Sequence, residues 1–288
     1  MPSQRQLKNR IRSVKSTKQI TKAMQMVAAS KMRKAQDATK ATAPYTQAAR
    51  EILAHISTLG GAKKHPLFVE RDVKKRLIVI IASDRGLAGA YNANVSKLYI
   101  RELMNDDKNH VKSATIAVGR KATQFVTRLK DTEVVGAYED LPDKLEGHEL
   151  RGALDVAYQK FIDGEVDAVD VIYTEFVSSI TQTPKVERIL PAGQAVEVDN
   201  TLPLEAEFEP DVETVLETTV YRLVGAQLFQ ALLDAKSSEW SMRMMAMKNA
   251  TDNASDLVDD LTLAMNKARQ AAITQELAEI SGGAEAMK

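Results

Sequence analysis

The 288-residue chain contains no cysteine, which removes disulfides, thiolate metal sites and cysteine nucleophiles from its chemistry. Histidine is also scarce: His55, His65, His110 and His148 lie far apart and offer none of the spacings a metal site requires. There is no G-x-S-x-G, and the paired acids Asp106-Asp107 and Asp259-Asp260 read as solvated helix faces rather than as a general acid and base. The longest purely apolar run, Leu77 to Ala82, is far short of the roughly 20 residues a membrane span needs. The basic start MPSQRQLKNRIRSV lacks the apolar stretch of a signal peptide. A soluble protein, attached to a membrane at most peripherally, is expected. Acid is missing from one region in particular: residues 1 to 58 carry twelve Lys+Arg against Asp37 and Glu51 alone, although the whole chain sums to zero. A neutral chain with so basic an arm meets an acidic partner or its own acidic half.

Residues 3 to 43 also lack proline and glycine and are rich in Ala, Lys, Gln and Met, which predicts one long helix with Ser3 as its N-cap. Pro44 should kink or pause it before the pattern resumes through Ile52 and Ile56. Leu7, Ile11 and Val14 share one face, and Ile20, Met24, Val27 and Met32 another. The six-residue step from Val14 to Ile20 predicts an irregular coiled coil. After Pro210 the only glycine before Gly282 is Gly225. Heptad positions counted from Trp240 give Met244, Met247, Thr251, Ala254, Val258, Leu261, Met265, Ala268 and Ala272, a sustained seam with one polar residue. At about 1.5 Å per residue this helix spans roughly 105 Å, about twice the diameter of a compact globule of this length. It is expected to project, paired antiparallel with the first helix. Its last turns, ARQAAITQELAEI, should be left unpaired and apolar on several sides, in need of a surrounding surface.

Between about 70 and 205, KRLIVIIAS, SATIAVG, TEVVGAY and VDVIYTEFVSS are β-branched runs separated by helical stretches such as GHELRGALDVAYQKFI. That alternation predicts a Rossmann-like open α/β sheet, with PKVERILP, bracketed by prolines, as an edge strand. The chain thus divides into an N-terminal coiled-coil helix (1–58), an α/β domain (70–205) and a C-terminal coiled-coil helix (210–282). ASDRGLAGAYNAN (82 to 94) stands where a nucleotide-binding fold would put its phosphate loop, but its glycine spacing matches neither G-x-G-x-x-G nor G-x-x-x-x-G-K-[ST]. It reads as a structural turn with Arg85 exposed to a partner. Residues 23 to 35, AMQMVAASKMRKA, mix three methionines with three cations in one helical stretch. On charge alone such an arm could hold nucleic acid phosphates. Its single aromatic, Tyr45, and its interleaved Met and Ala favour a protein partner with acidic loops.

Four stretches carry a family resemblance: QITKAMQMVAASKMRKA (19 to 35), SDRGLAGAYN (83 to 92), MMAMKNATDNA (244 to 254) and NKARQAAITQELAEISGGA (266 to 284). Over essentially its whole length the chain resembles the γ subunits of bacterial-type F-type ATP synthases, departing at Ala88 and Ala90, where the family pattern has cysteine and glycine. The resemblance implies a rotor subunit without a catalytic site or cofactor of its own. Its partners would be the α, β and ε subunits and the c-ring, with no nucleic acid. It would sit at the cytoplasmic face of the cell membrane, peripherally. Carried over by motif, Lys22, Met24, Lys31, Arg33, Arg85, Arg243, Met247 and Asn253 would meet the β subunits. Ala268, Arg269, Ile273, Gln275, Leu277 and Ile280 would form the tip that turns in an apolar bearing. Glu207, Phe208 and Glu209 would approach the c-ring and ε.

Overall fold

The sheet begins from the most apolar run in the chain. In a computed structural model, which describes residues 4–58, 65–129, 132–193 and 212–286, that run becomes β1 (Lys75–Ile81), the centre of a five-stranded sheet. The element order is α1 (Gln4–Thr58), β1, α2 (Tyr91–Lys108), β2 (Lys112–Val118), α3 (Arg120–Val126), β3 (Glu133–Tyr138), α4 (Arg151–Ile162), β4 (Ala168–Phe176), β5 (Gln182–Leu190) and α5 (Val212–Ala286). The strand order is β3-β2-β1-β4-β5, parallel except for the antiparallel pair of β4 with β5. The proline-bracketed segment is the edge strand, as its prolines require. The described residues fall into two compact units, Met1–Ala28 with Arg243–Lys288, and Ala29–Met242, a division that cuts across both long helices.

Within the larger unit β1 is buried on both faces, which is why it reads as continuous rather than alternating. Leu77, Val79 and Ile81 face α4 and the flanking parts of α1 and α5, through Leu53, Phe161, Val220 and Leu228. Ile78 and Ile80 face α2 and α3, through Val95, Tyr99 and Val126. Arg76, 6% exposed, lies among charges: it pairs with Asp106 at 2.9 Å and Glu102 at 3.2 Å on α2, and with Asp170 on β4, which Arg188 of β5 also holds. α1 passes through Pro44 without interruption. The proline forfeits one helical hydrogen bond, but Thr46, Ala49 and Leu53 on the following turns are buried, and that packing outweighs the local loss.

Asp234 on α5 lies in a mixed cluster with Glu175 of β4, Glu187 and Lys185 of β5 and Arg50 of α1. Burial pushes its carboxyl up to about 7, Glu175 and Glu187 adding to the shift while Arg50 and Lys185 oppose it. Tyr173 of β4 donates to Glu187 at 2.7 Å, and Arg50 also pairs with Glu187. A carboxyl whose folded pKa lies above its unfolded value holds a proton in the folded chain that the unfolded chain has released. Its contribution to stability therefore falls as pH rises between about 4 and 7. Asp234→Asn is expected to be more stable than the parent at pH 8 and to converge with it near pH 4, read by urea midpoints across that range. A constant offset at all pH values would refute the assignment.

The smaller unit is an antiparallel pair of helix segments. Leu7, Ile11 and Leu261 form its core, with Val14, Val258, Met265 and Ala268 against them, and the Thr251 hydroxyl lies 2.8 Å from that of Thr21. On α5 the heptad seam from Met247 to Ala268 is buried or half-buried, as its spacing predicts, and Ala272 is exposed. On α1 the outcome differs from the sequence expectation. The seam runs Leu7, Ile11, Val14, Lys18, Thr21, Gln25, Ala28, all buried or half-buried in alternating steps of four and three residues. Ile20 and Val27, expected to share a buried stripe with Met24, are 58% and 54% exposed. The spacing is regular, and only the side-chain chemistry changes from apolar to small and polar. Small residues let the two helices approach closely, and Thr21 and Thr251 meet across the seam while each hydroxyl also reaches a carbonyl of its own helix, Lys18 at 3.1 Å and Met247 at 2.8 Å.

Candidate functional site

An open parallel sheet takes ligands at the carboxyl ends of its strands, where the strand order reverses. Here that point lies between β1 and β4, and α5 fills it. Ser238 Oγ donates to the Thr174 carbonyl at 3.0 Å, Ser241 Oγ to the Ser179 carbonyl at 2.8 Å, and Lys236 lies 3.7 Å from Asp84. The loop after β1 is likewise held by the chain itself. Asp84 Oδ1 accepts the backbone N–H groups of Arg120 and Asp140, both at 3.0 Å, and Ser83 Oγ donates to the Arg85 carbonyl at 2.7 Å. Gly119, at φ 91°, passes so close to this loop that a Cβ there would lie 2.2 Å from the Ala82 carbonyl oxygen. Ala88 is 2% exposed and supports the turn into α2 through its carbonyl, which accepts from Tyr91 N–H at 3.2 Å. The two motif loops therefore act as a structural clasp. Among the described residues no three His, Asp or Glu side chains gather as metal ligands would, and no helix is long and apolar enough to cross a membrane.

What this chain offers is surface on helices. In the larger unit Lys31 is half-buried between two partners: its ammonium lies 2.7 Å from Asp143 Oδ2 and 4.7 Å from the centre of the Trp240 ring. Arg33 and Arg85 are exposed. In the smaller unit Lys22 is exposed and reaches Gln25 at 3.3 Å, Met24 is half-buried and Asn253 is exposed. Arg243 and Met247, by contrast, are 4% and 5% exposed, so they are turned into the chain's own packing. Lys15, Lys22 and Met26 fall on one flank of the α1 seam, Ile20 and Val27 on the other, which leaves a surface both apolar and basic.

Beyond Ala268, which is half-buried, every residue from Arg269 to Ser281 is exposed. Ile273, Leu277 and Ile280 are 50%, 62% and 70% exposed and, at steps of four and three, form one stripe along the helix. Gln275 reaches Glu279 at 2.9 Å on another face. Glu207, Phe208 and Glu209 lie outside the described residues. Sequence reasoning missed Asp143, Lys236 and Trp240 as neighbours of the basic face. Asp143 stands 112 residues from Lys31, and no local pattern announces such a pair.

A family model described as ATP synthase matches residues 3–287. The ATP synthase gamma chain of Desulforamulus reducens is 39% identical over 288 residues, covering all of both chains. That of Cupriavidus necator is 40% identical over 292 residues and again covers both completely. Among solved structures, a chain of the Tetrahymena thermophila mitochondrial ATP synthase central stalk and c-ring superposes with a TM-score of 0.62 at 25% identity, covering 80% of this chain and 99% of that one. A chain of the Euglena gracilis mitochondrial ATP synthase gives a TM-score of 0.74 at 22% identity, covering 99% and 94%, a likeness of fold.

Proposed function

This chain belongs to the ATP synthase gamma chain family, and from that premise we propose how its surfaces do the work of a central rotor stalk. Catalysis occurs on the β subunits, and this chain couples rotation of the c-ring to it. Its coiled-coil unit turns within the ring of α and β subunits, while its sheet unit works on the side of the c-ring and ε. The observation that carries this reading is the run from Arg269 to Ser281, exposed throughout, with Ile273, Leu277 and Ile280 in one stripe. An apolar stripe on an unpaired helix end is stable only within another surface, and a sleeve gripping it without directional bonds lets it turn. The chain works peripherally, at the cytoplasmic face of a bacterial membrane.

Coupling follows from asymmetry. One helix pair cannot present the same face to three identical β subunits, so it binds their open and closed states unequally, and turning it shifts which one is open. The exposed Lys22 and Met26 side chains suit a sliding contact. Methionines adapt their shape, and exposed cations attract acidic loops without committing to one pocket. Lys31→Ala with Arg33→Ala is expected to leave the unfolding free energy within about 1 kcal/mol of the parent, because Arg33 is exposed and Lys31 gives up an ion pair with the exposed Asp143. It should lower ATP-driven ion pumping several-fold relative to ATP hydrolysis in reconstituted vesicles. Normal pumping by the assembled double variant would remove the electrostatic part of this mechanism.

A further inference from the structure

Lys31 is not waiting for a partner, because the chain already supplies it with a carboxylate. Asp143 belongs to the segment between β3 and α4, whose sequence from Glu139 to Glu149 holds five acids against Lys144 and His148. That segment is anchored at both ends by contacts that do not involve Asp143. At its start, Arg120 Nη2 lies 2.6 Å from both carboxylate oxygens of Asp140, whose own N–H is held by Asp84. At its end, the Glu149 carboxylate accepts the N–H groups of Glu146 at 2.6 Å and Gly147 at 2.8 Å. Between these anchors Asp143, its side chain 68% exposed, reaches Lys31. The Lys31 hydrogen bond holds the Asp143 carboxyl below its usual range against the effect of partial burial, and the charges of Lys31, Lys236 and Arg85 add to it. A carboxylate thus lies against the Lys31 ammonium, which stands over the Trp240 ring, while Lys236 is engaged by Asp84 and Glu239.

We propose that the Lys31 ammonium, held over the Trp240 ring, is a carboxylate site which Asp143 occupies in the free chain, and that an Asp or Glu side chain of a ring subunit displaces it on assembly. The proposal rests on the reading of Lys31 as a ring contact and adds that this contact is won by exchange. Exchange is feasible because an exposed pair of this kind is weak. The anchors leave the segment in place when Asp143 lets go. The ring over which Lys31 lies keeps its ammonium directed at the same spot for whichever carboxylate arrives. The device prevents the basic face from being captured by other anions before the ring is met.

The test uses the full-length chain with its own α and β subunits, comparing the parent, Asp143→Asn, Lys31→Gln and the double variant. Trp240 is the only tryptophan, so its emission in the free chain reports the Lys31 contact. Both single variants are expected to shift it. Titrating each chain into α and β, with ATP turnover as the readout, should show Asp143→Asn half-saturating at about two- to fivefold lower concentration than the parent, the range a surface pair allows. That gain should vanish in the Lys31→Gln background. An Asp143→Asn chain that binds no tighter, with Lys31→Gln weaker, overturns the exchange and leaves the ring contact standing. A Lys31→Gln chain that binds as the parent does, while Trp240 emission still shifts, overturns the ring contact and the exchange with it.

Discussion

Replacing Arg76 with methionine is expected to destabilise the larger unit by about 3–5 kcal/mol, the cost of removing one partner from a buried ion cluster. The substitution keeps much of the side-chain volume, so it tests charge rather than packing. It leaves Asp106 and Asp170, 4% and 2% exposed, without the guanidinium that lies between them. Asp170 retains Arg188 and Asp106 retains the Ser113 hydroxyl at 2.7 Å, so the loss is bounded rather than total. α2 should loosen first, because Arg76 joins its Glu102 to the sheet and shares its Asp106 with Ser113 of β2. Urea unfolding gives the overall change, and amide exchange along α2 tests where it falls. A loss under about 1 kcal/mol would mean that water enters the cluster and screens it as at a surface.

The second large effect belongs to the tip. Changing Ile273, Leu277 and Ile280 together to serine should leave the stability of the free chain nearly unchanged, within about 0.5 kcal/mol per site, since none of the three is buried. If a bearing covers them, each loses about 1–2 kcal/mol of apolar burial. Together that would weaken assembly on the order of a hundred- to ten-thousandfold. Half-saturation of ring turnover by the variant chain measures it. A variant that assembles and couples as the parent does would show that the stripe meets no apolar wall.

Much of the fold was legible because its elements depend on local chemistry. Leu77 to Ala82, short, apolar and β-branched, read as a strand, and the prolines around PKVERILP as an edge. The α5 seam was readable because Met247, Ala254, Val258 and Leu261 are apolar where the heptad needs them. The same reasoning went astray on α1, where the close approach of two helices selects Thr21, Gln25 and Ala28 for size and pairing rather than hydrophobicity. Counting apolar residues there led to Ile20 and Val27, which face outward. Those two residues leave the outside of the helix both apolar and basic, because the seam does not use them. At the candidate site, a motif can name Lys22, Arg33 and Asn253, but which flank of a helix is covered depends on the partner helix, so Arg243 could not be known to lie inward; Met247 falls both in the seam and among the contacts carried over by motif, and its burial fits the seam. The Lys31–Asp143 contact and the filling of the sheet crevice by α5 join residues far apart in the chain, beyond any spacing rule.

The central claim is that this chain acts on the catalysis of other subunits and has none itself. The most direct measurement is ATP turnover by its own α and β subunits with and without the chain, after size-exclusion chromatography has established whether it enters their ring. The account predicts one copy of the chain eluting with the ring, a marked change in turnover on its addition, and no turnover by the chain alone. A chain that elutes apart from a competent ring and leaves its turnover unaltered would contradict it.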